Sequence, residues 1–223
     1  MRKVLFWNVD TQVDFMNEDG LLSIGDTVKL KLNLEWLSHF AASRKIQVIN
    51  TRDWHRVNSA ELSVNPDFSN TFPEHCIQNT KGAEFIDEVS YRMESKDMSD
   101  VSELDWDRSY SKEEYKEISN STDIIINKDK FDVFTGNTNT DELLKHIDAK
   151  EVYVYGVTTD VCVNKAVLGL LSRGYKVKVI VDAIQELPGN NISEIVNGWV
   201  TNGARLTDVS KVQRMFRYDP STS

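Results

Sequence analysis

The sequence predicts an α/β fold with a mainly parallel sheet, and three observations predict it. Short apolar runs rich in β-branched residues recur along the 223-residue chain, amphipathic stretches of helical period separate them, and ionisable residues stand just after several runs. A chain of this length can bury roughly 70% of the surface its unfolded form exposes, enough for a full core.

In chain order, residues 4–9 read as the first strand. Residues 28–42 place Leu32, Leu34, Trp36, Leu37, Phe40 and Ala41 at mostly helical spacing. Residues 46–51 and 124–126 are strands, 140–146 a helix and 151–155 a further strand. A helix over 163–172 meets Gly174, which is placed to end it because glycine adopts the left-handed conformation without a Cβ clash. A strand over 177–181, a helix over 193–202 and a last short strand over 204–206 complete the pattern. Residues 91–122 are charged and serine-rich with little core periodicity. They read as a surface excursion with a short helix near 111–118, since a wholly structureless loop of that length is uncommon. Its Trp106 and Tyr110 suit a lid, an oligomer contact or surface decoration. Residues 1–218 make one domain, and 219–223 a frayed tail.

Lys and Arg number 26 against 35 Asp and Glu, a formal net charge of -9. Such a field repels phosphate backbones and anionic surfaces, which argues against nucleic-acid and membrane partners. Cys76 and Cys162 are the only cysteines, too few for a disulfide framework, and the N-terminal run turns polar at Asn8 before a signal-like region develops. No stretch approaches the ~18 consecutive apolar residues of a membrane span. The expectation is a cytoplasmic protein whose thiols stay free.

In an open parallel sheet, ligands bind beyond the carboxyl ends of the strands. Asp10 ends the first run, Lys128 follows residues 124–126, and Cys162 lies past residues 151–156 at the expected start of a helix. A thiol there sees the positive end of the helix dipole and free N–H groups, which together with Lys128 favour the nucleophilic thiolate. Taken alone, each has an ordinary reading: a cysteine buried as a small hydrophobe, a solvated strand-end lysine. Asp10 is harder to dismiss, because a carboxylate after a buried strand costs free energy unless it is paired or hydrogen-bonded. A second cluster follows the 46–51 run. In Arg52-Asp53-Trp54-His55 the two-residue repeat of extended chain sends Asp53 and His55 to one side, and Phe72-Pro73-Glu74-His75-Cys76 comes later. Asp and His suit a divalent metal such as Zn, Mn or Fe; two histidines on a polar loop are the evenly weighted alternative.

Together these segments resemble the isochorismatase-like cysteine hydrolases, whose best-known members are nicotinamidases. Val9-Asp10-Thr11-Gln12-Val13-Asp14-Phe15 resembles the family's first-strand signature, and Lys128-Asp129-Lys130-Phe131-Asp132-Val133-Phe134 its lysine segment. Gly156-Val157-Thr158-Thr159-Asp160-Val161-Cys162-Val163 resembles its nucleophile segment, and Asp182-Ala183 fits the usual end of the following strand. The resemblance runs from Val4 to about Ala183 and implies a three-layer α/β/α sandwich, the isochorismatase-like hydrolase fold. It implies that Cys162 attacks the carbonyl carbon of a small amide such as nicotinamide, assisted by Asp10 and Lys128. It also implies a cis peptide between Val157 and Thr158, and an oxyanion hole formed by the N–H groups of Thr158 and Cys162.

The same resemblance puts Asp53, His55 and His75 on three metal-ligand positions. Where relatives often carry a histidine six residues after the first, this chain has Glu61, which can also coordinate a divalent metal. Phe15, Phe72 and Phe134 suit either a flat heterocycle or ordinary core packing; relatives usually have tryptophan at the place of Phe72. Cys76 takes a structural role, and a homo-oligomer is expected. The rival substrate is an N-carbamoyl or ureido amide. A reading from another class is a catalytically idle binding or scaffold member.

Overall fold

The β-branched and aromatic runs become neighbours in one sheet. In the computed structural model, which describes residues 4–94 and 100–217, the strands are β1 (Val4–Val9), β2 (Gln47–Asp53), β3 (Val101–Leu104), β4 (Asp123–Lys128), β5 (Glu151–Val157), β6 (Lys176–Gln185) and β7 (Arg205–Thr207). Their order is β3-β4-β2-β1-β5-β6-β7, and every neighbouring pair is parallel. The helices between and after them are α1 (Val13–Met16), α2 (Val28–Arg44), α3 (Asp87–Glu94), α4 (Lys112–Ile118), α5 (Val133–Gly136), α6 (Thr140–His146), α7 (Asn164–Ser172), α8 (Ser193–Thr201) and α9 (Val209–Arg217).

Alternation along each strand divides the core between two faces. Leu5, Trp7 and Val9 of β1 join Tyr115 of α4, Leu143 of α6, Val167 of α7 and Trp199 of α8 on one side. Phe6 joins Leu34 of α2, Val89 of α3 and Val212 of α9 on the other. The result is the three-layer α/β/α sandwich. Among the described residues, no helix is long and apolar enough to cross a membrane.

Three local differences from the sequence reading bear on the site. First, residues 91–122 are more than a surface excursion: Val101–Leu104 is the edge strand, paired with β4, and Leu104, Tyr115 and Ile118 are buried. Four residues with Ser102 and Glu103 between the apolar ends carry too little period to be read as a strand. The helix in this stretch begins at the capping box of Ser111 and Glu114, whose side chains each take a backbone N–H. Second, β2 and β4 run further than their apolar cores, because polar residues at the carboxyl ends keep pairing, Arg52 with Asn127 and Asp53 with Lys128, and β5 and β6 run on through Gly156 with Ile184 and Val157 with Gln185. Third, Cys162 lies within a wide π-type turn, Thr159–Val163, that precedes α7. Gly174, at φ 81, follows α7 as expected. The expected tail at 219–223 lies outside the described residues, as do residues 95–99.

Candidate active site

Register alone sets the first contacts. Asp53 and Lys128 are partners at the carboxyl ends of β2 and β4, so their side chains leave the sheet side by side. Asp10 follows β1 next door, in the left-handed region at φ 49, with its N–H bonded to the Thr51 carbonyl at 3.1 Å. On the far side of β1, Gly156 pairs with Val9 at φ 112; a Cβ there would lie 2.1 Å from the Val9 carbonyl oxygen, so this approach of β5 to β1 requires glycine. The Val157–Thr158 peptide that follows is cis, and the next turn brings Cys162 back over the strand ends.

The structure thus gathers Asp10, Lys128 and Cys162, together with Asp53. The Lys128 Nζ is 2.9 Å from Asp10 Oδ2 and 3.9 Å from Cys162 Sγ, and it donates to Asp53 Oδ1. The Thr51 hydroxyl donates to the other Asp10 oxygen at 2.6 Å. Asp10, Asp53 and Lys128 are each at most 2% exposed and Cys162 is 7% exposed, so the charges act on one another in a medium that water hardly screens. Burial raises the Asp10 carboxyl above the usual carboxylate value, against the pull of Lys128. Burial also pushes the Cys162 thiol well above its ordinary value, with Lys128 opposing and the Asp10 and Asp53 charges reinforcing. The sequence reading had the thiol favouring thiolate; burial reverses that in the resting site. Lys128, which burial alone would depress, is held well above its usual value by Asp10 and Asp53.

The second cluster adjoins the first through Asp53. Asp53, His55 and His75 are all buried, with ligand atoms within 4.8 Å of one another. The Nε2 atoms of His55 and His75 lie 3.8 and 3.7 Å from the two Asp53 oxygens. Each ring is oriented through its other nitrogen, His55 Nδ1 at 3.3 Å from Asp129 and His75 Nδ1 at 2.7 Å from the Pro73 carbonyl. His55 Nε2 is buried without a hydrogen-bond partner. Two imidazoles locked through Nδ1, with Nε2 turned toward a carboxylate, are a donor set that fits a divalent metal ion. Burial would raise the Asp53 carboxyl, but Lys128 and the two histidines hold it well below the usual range. His75 is raised despite burial, by Asp53.

Glu61 stands outside this trio. One of its oxygens accepts the Phe131 N–H at 2.7 Å, and burial together with the Asp53 charge pushes its carboxyl up to about 7. Phe15 and Phe72 flank His75, with ring centroids 5.3 and 6.3 Å from the imidazole. Phe134 is not with them: it packs against Trp7 at 6.2 Å in the opposite core, under the Arg173 guanidinium. Cys76 is fully buried, its thiol pushed well above its usual value by burial. Trp106 is tied down beside the site by the Trp54 carbonyl at 3.4 Å and by the Arg56 guanidinium over its ring.

Sequence reasoning passed over four neighbours. Gln12 brackets Asp53, accepting its N–H at 2.7 Å and donating to its carbonyl at 2.8 Å. Thr51 holds Asp10, Asp129 holds His55 and Ser59, and Phe131 touches both cores while bonding Glu61. Gln12, Asp129 and Phe131 lie inside the quoted motifs, but nothing in their types reveals a partner more than forty positions away.

Known proteins carry the same fold and sequence pattern. Residues 103–210 match the model of the isochorismatase domain. The nicotinamidase of Escherichia coli is 29% identical over 195 residues, spanning 78% of this chain and 79% of that one. The nicotinamidase of Saccharomyces cerevisiae is 23% identical over 210 residues, spanning 85% and 90%. Among solved structures, the pyrazinamidase of Pyrococcus horikoshii in complex with zinc superposes with a TM-score of 0.69 at 22% identity, covering 92% of this chain and 99% of its own. In its parallel sheet and over residues 103–210 the chain is similar to the isochorismatase-like hydrolases. The relatives that match along most of their length are nicotinamidases, and it is to these that the chain is similar.

Proposed function

We propose that the chain is a cysteine amidohydrolase that converts nicotinamide and water to nicotinate and ammonia through a thioester on Cys162. The observation that carries the reading is the buried contact of Lys128 with Asp10 at 2.9 Å and Cys162 at 3.9 Å, beside Asp53, His55 and His75. Asp10, raised by burial, takes the proton of Cys162 as the sulfur attacks the amide carbon. The N–H groups of Thr158 and Cys162 hold the oxyanion. Asp10 returns the proton to the leaving ammonia, then draws one from the water that opens the thioester, which frees the acid and restores the thiol. Lys128 balances the negative charge that forms on sulfur.

Asp53, His55 and His75 would hold a divalent metal, Zn, Mn or Fe, with Glu61 as a fourth ligand once ionised, and such an ion would supply Lewis-acid chemistry beside the substrate ring. Phe15 and Phe72 bracket the ring, and the position of Phe134 assigns it to core packing instead. Residues 1–218 act as one domain in the cytoplasm, as a homo-oligomer without nucleic-acid or membrane partners. Glu61 in place of a histidine favours one rival, an N-carbamoyl or ureido amide at the same triad. Ammonia release across a small amide panel, with and without added metal, tests both readings: nicotinamide turned over fastest, and lost in Cys162→Ala, is the expected result. Native turnover by Cys162→Ala ends the scheme.

A further inference from the structure

At the far edge of the sheet, α9 crosses β6 and leaves a cleft of about 420 Å³ lined by Lys178, Arg205, Leu206, Thr207, Lys211, Arg214 and Met215. Lys178 is near the start of β6 and Arg205 begins β7, so the cleft opens at the end of the sheet opposite Asp10 and Lys128. We infer that this cleft is an anion site that takes the phosphoryl dianion of a small molecule.

Four cations converge here in a chain whose net charge is -9. Lys178 and Arg205 are register partners, so two like charges stand opposite each other on adjacent strands, an arrangement that is destabilising by itself. Lys211 and Arg214, three apart on α9, add a second like-charged pair on one helix face. Two of the four charges are answered: Lys178 by Glu151 at 3.1 Å and Lys211 by Asp208 at 2.7 Å. Arg205 is in no ion pair given for the described residues, and the Asp208 carboxylate that pairs with Lys211 is also the one that feels Arg214. The cleft therefore sets four cations against the carboxylates of Glu151 and Asp208 and keeps an excess of positive charge; two of the cations are guanidiniums, whose planar fork matches phosphate oxygens better than an ammonium does. Its volume falls within the range of small-molecule sites. Lys178 is held in place by the Tyr153 hydroxyl at 2.7 Å and by Met215 Sδ at 3.8 Å, so one wall of the cleft is fixed before any ligand arrives.

Titration calorimetry of the full chain with inorganic phosphate and with adenosine monophosphate, at constant ionic strength set by chloride, tests the site. Saturable binding of one anion per chain is expected, weakened about tenfold or more in Arg205→Gln/Arg214→Gln, as befits loss of charge-assisted hydrogen bonds. Both side chains are exposed, and an unchanged circular dichroism spectrum shows that the variant is folded. Arg214→Lys, which keeps the charge but not the fork, gives an intermediate loss. Tighter binding of the nucleotide identifies a phosphomonoester as the ligand, and equal binding identifies inorganic phosphate. No saturable binding of either anion, or equal binding by the double glutamine variant, overturns the inference.

Discussion

Replacing Lys128 with methionine keeps the length of the side chain and removes its charge from between two buried carboxylates. Asp10 and Asp53 bring oxygens within 4.8 Å of each other. At that separation two full negative charges repel by at least about 3.5 kcal/mol at an effective dielectric of about 20. Loss of one partner from a buried ion pair costs about 3 to 5 kcal/mol for the same reason. The two figures describe one effect, so Lys128→Met is expected to lose about 3 to 5 kcal/mol of unfolding free energy near neutral pH. The cost is largest where both carboxyls are ionised. Asp10, already raised by burial, takes up a proton first as pH falls, so the variant recovers stability relative to wild type when the pH is taken from neutral into the acid range. Urea unfolding of both proteins at neutral and at acid pH measures this. A loss under about 1 kcal/mol, or a deficit that grows on acidification, refutes the charge assignment. Asp10→Asn on the Lys128→Met background then relieves the repulsion, and restored stability without restored ammonia release separates the structural role of the lysine from its chemical one.

Glu61→Gln tests the raised carboxyl: in metal-free protein the folded Glu61 holds its proton up to about 7, above the ordinary 4.5, so its contribution to stability is full below the lower value and lost as pH rises through the upper. Wild type is therefore expected to lose more stability than Glu61→Gln between pH about 5 and about 8, by urea unfolding, and parallel curves contradict it. Asp160, two residues before Cys162, accepts the Leu187 N–H at 3.1 Å and the Asn190 side-chain amide, tying the turn that carries Cys162 to the loop after β6. Asp160→Ala is expected to lower kcat about ten- to a hundredfold with little change in KM, as a displaced nucleophile does, and an unchanged kcat removes Asp160 from any positioning role.

The layers of the sandwich were legible because strand and helix periods differ and because buried parallel strands are apolar throughout. Val101–Leu104 escaped because an edge strand shields one side only, leaving Ser102 and Glu103 no reason to be apolar. At the site, Asp10, Lys128 and Cys162 could be named because the polar residues at the ends of buried strands are few. What the sequence could not carry was the pairing between them. That Asp53 faces Lys128 is a matter of register between strands 75 positions apart, and a one-residue slip would have turned it to the other face of the sheet. Phe134 shows the same limit from the other side: its place in the motif says nothing about which core its ring enters, and Gly169 of α7 leaves the room that draws it away from His75. The thiol was misjudged for a third reason. Proximity to a helix start is visible in sequence, but the depth of burial that outweighs it is not.

Asp53 joins the two clusters, and that makes them interdependent. One of its oxygens takes the Lys128 ammonium and faces His55, while the other faces His75. Its negative charge is one of the causes that raise the Cys162 thiol. A divalent cation on Asp53, His55 and His75 more than cancels that charge at the same point in space, so loading the metal is expected to lower the thiol pKa. The sign can be read from alkylation, which requires thiolate. In stripped protein, Cys162 is expected to react slowly with iodoacetamide near neutral pH and to speed up as pH rises. Manganese is expected to shift that rise to lower pH by about a unit or more, since a cation within a few ångströms commonly moves an acid that far. His55→Ala/His75→Ala keeps the thiol and removes two of the ligands, so its profile should ignore manganese. If manganese instead slows labelling in wild type, the ion sits on the sulfur, and the division of the site into separate nucleophile and metal clusters fails.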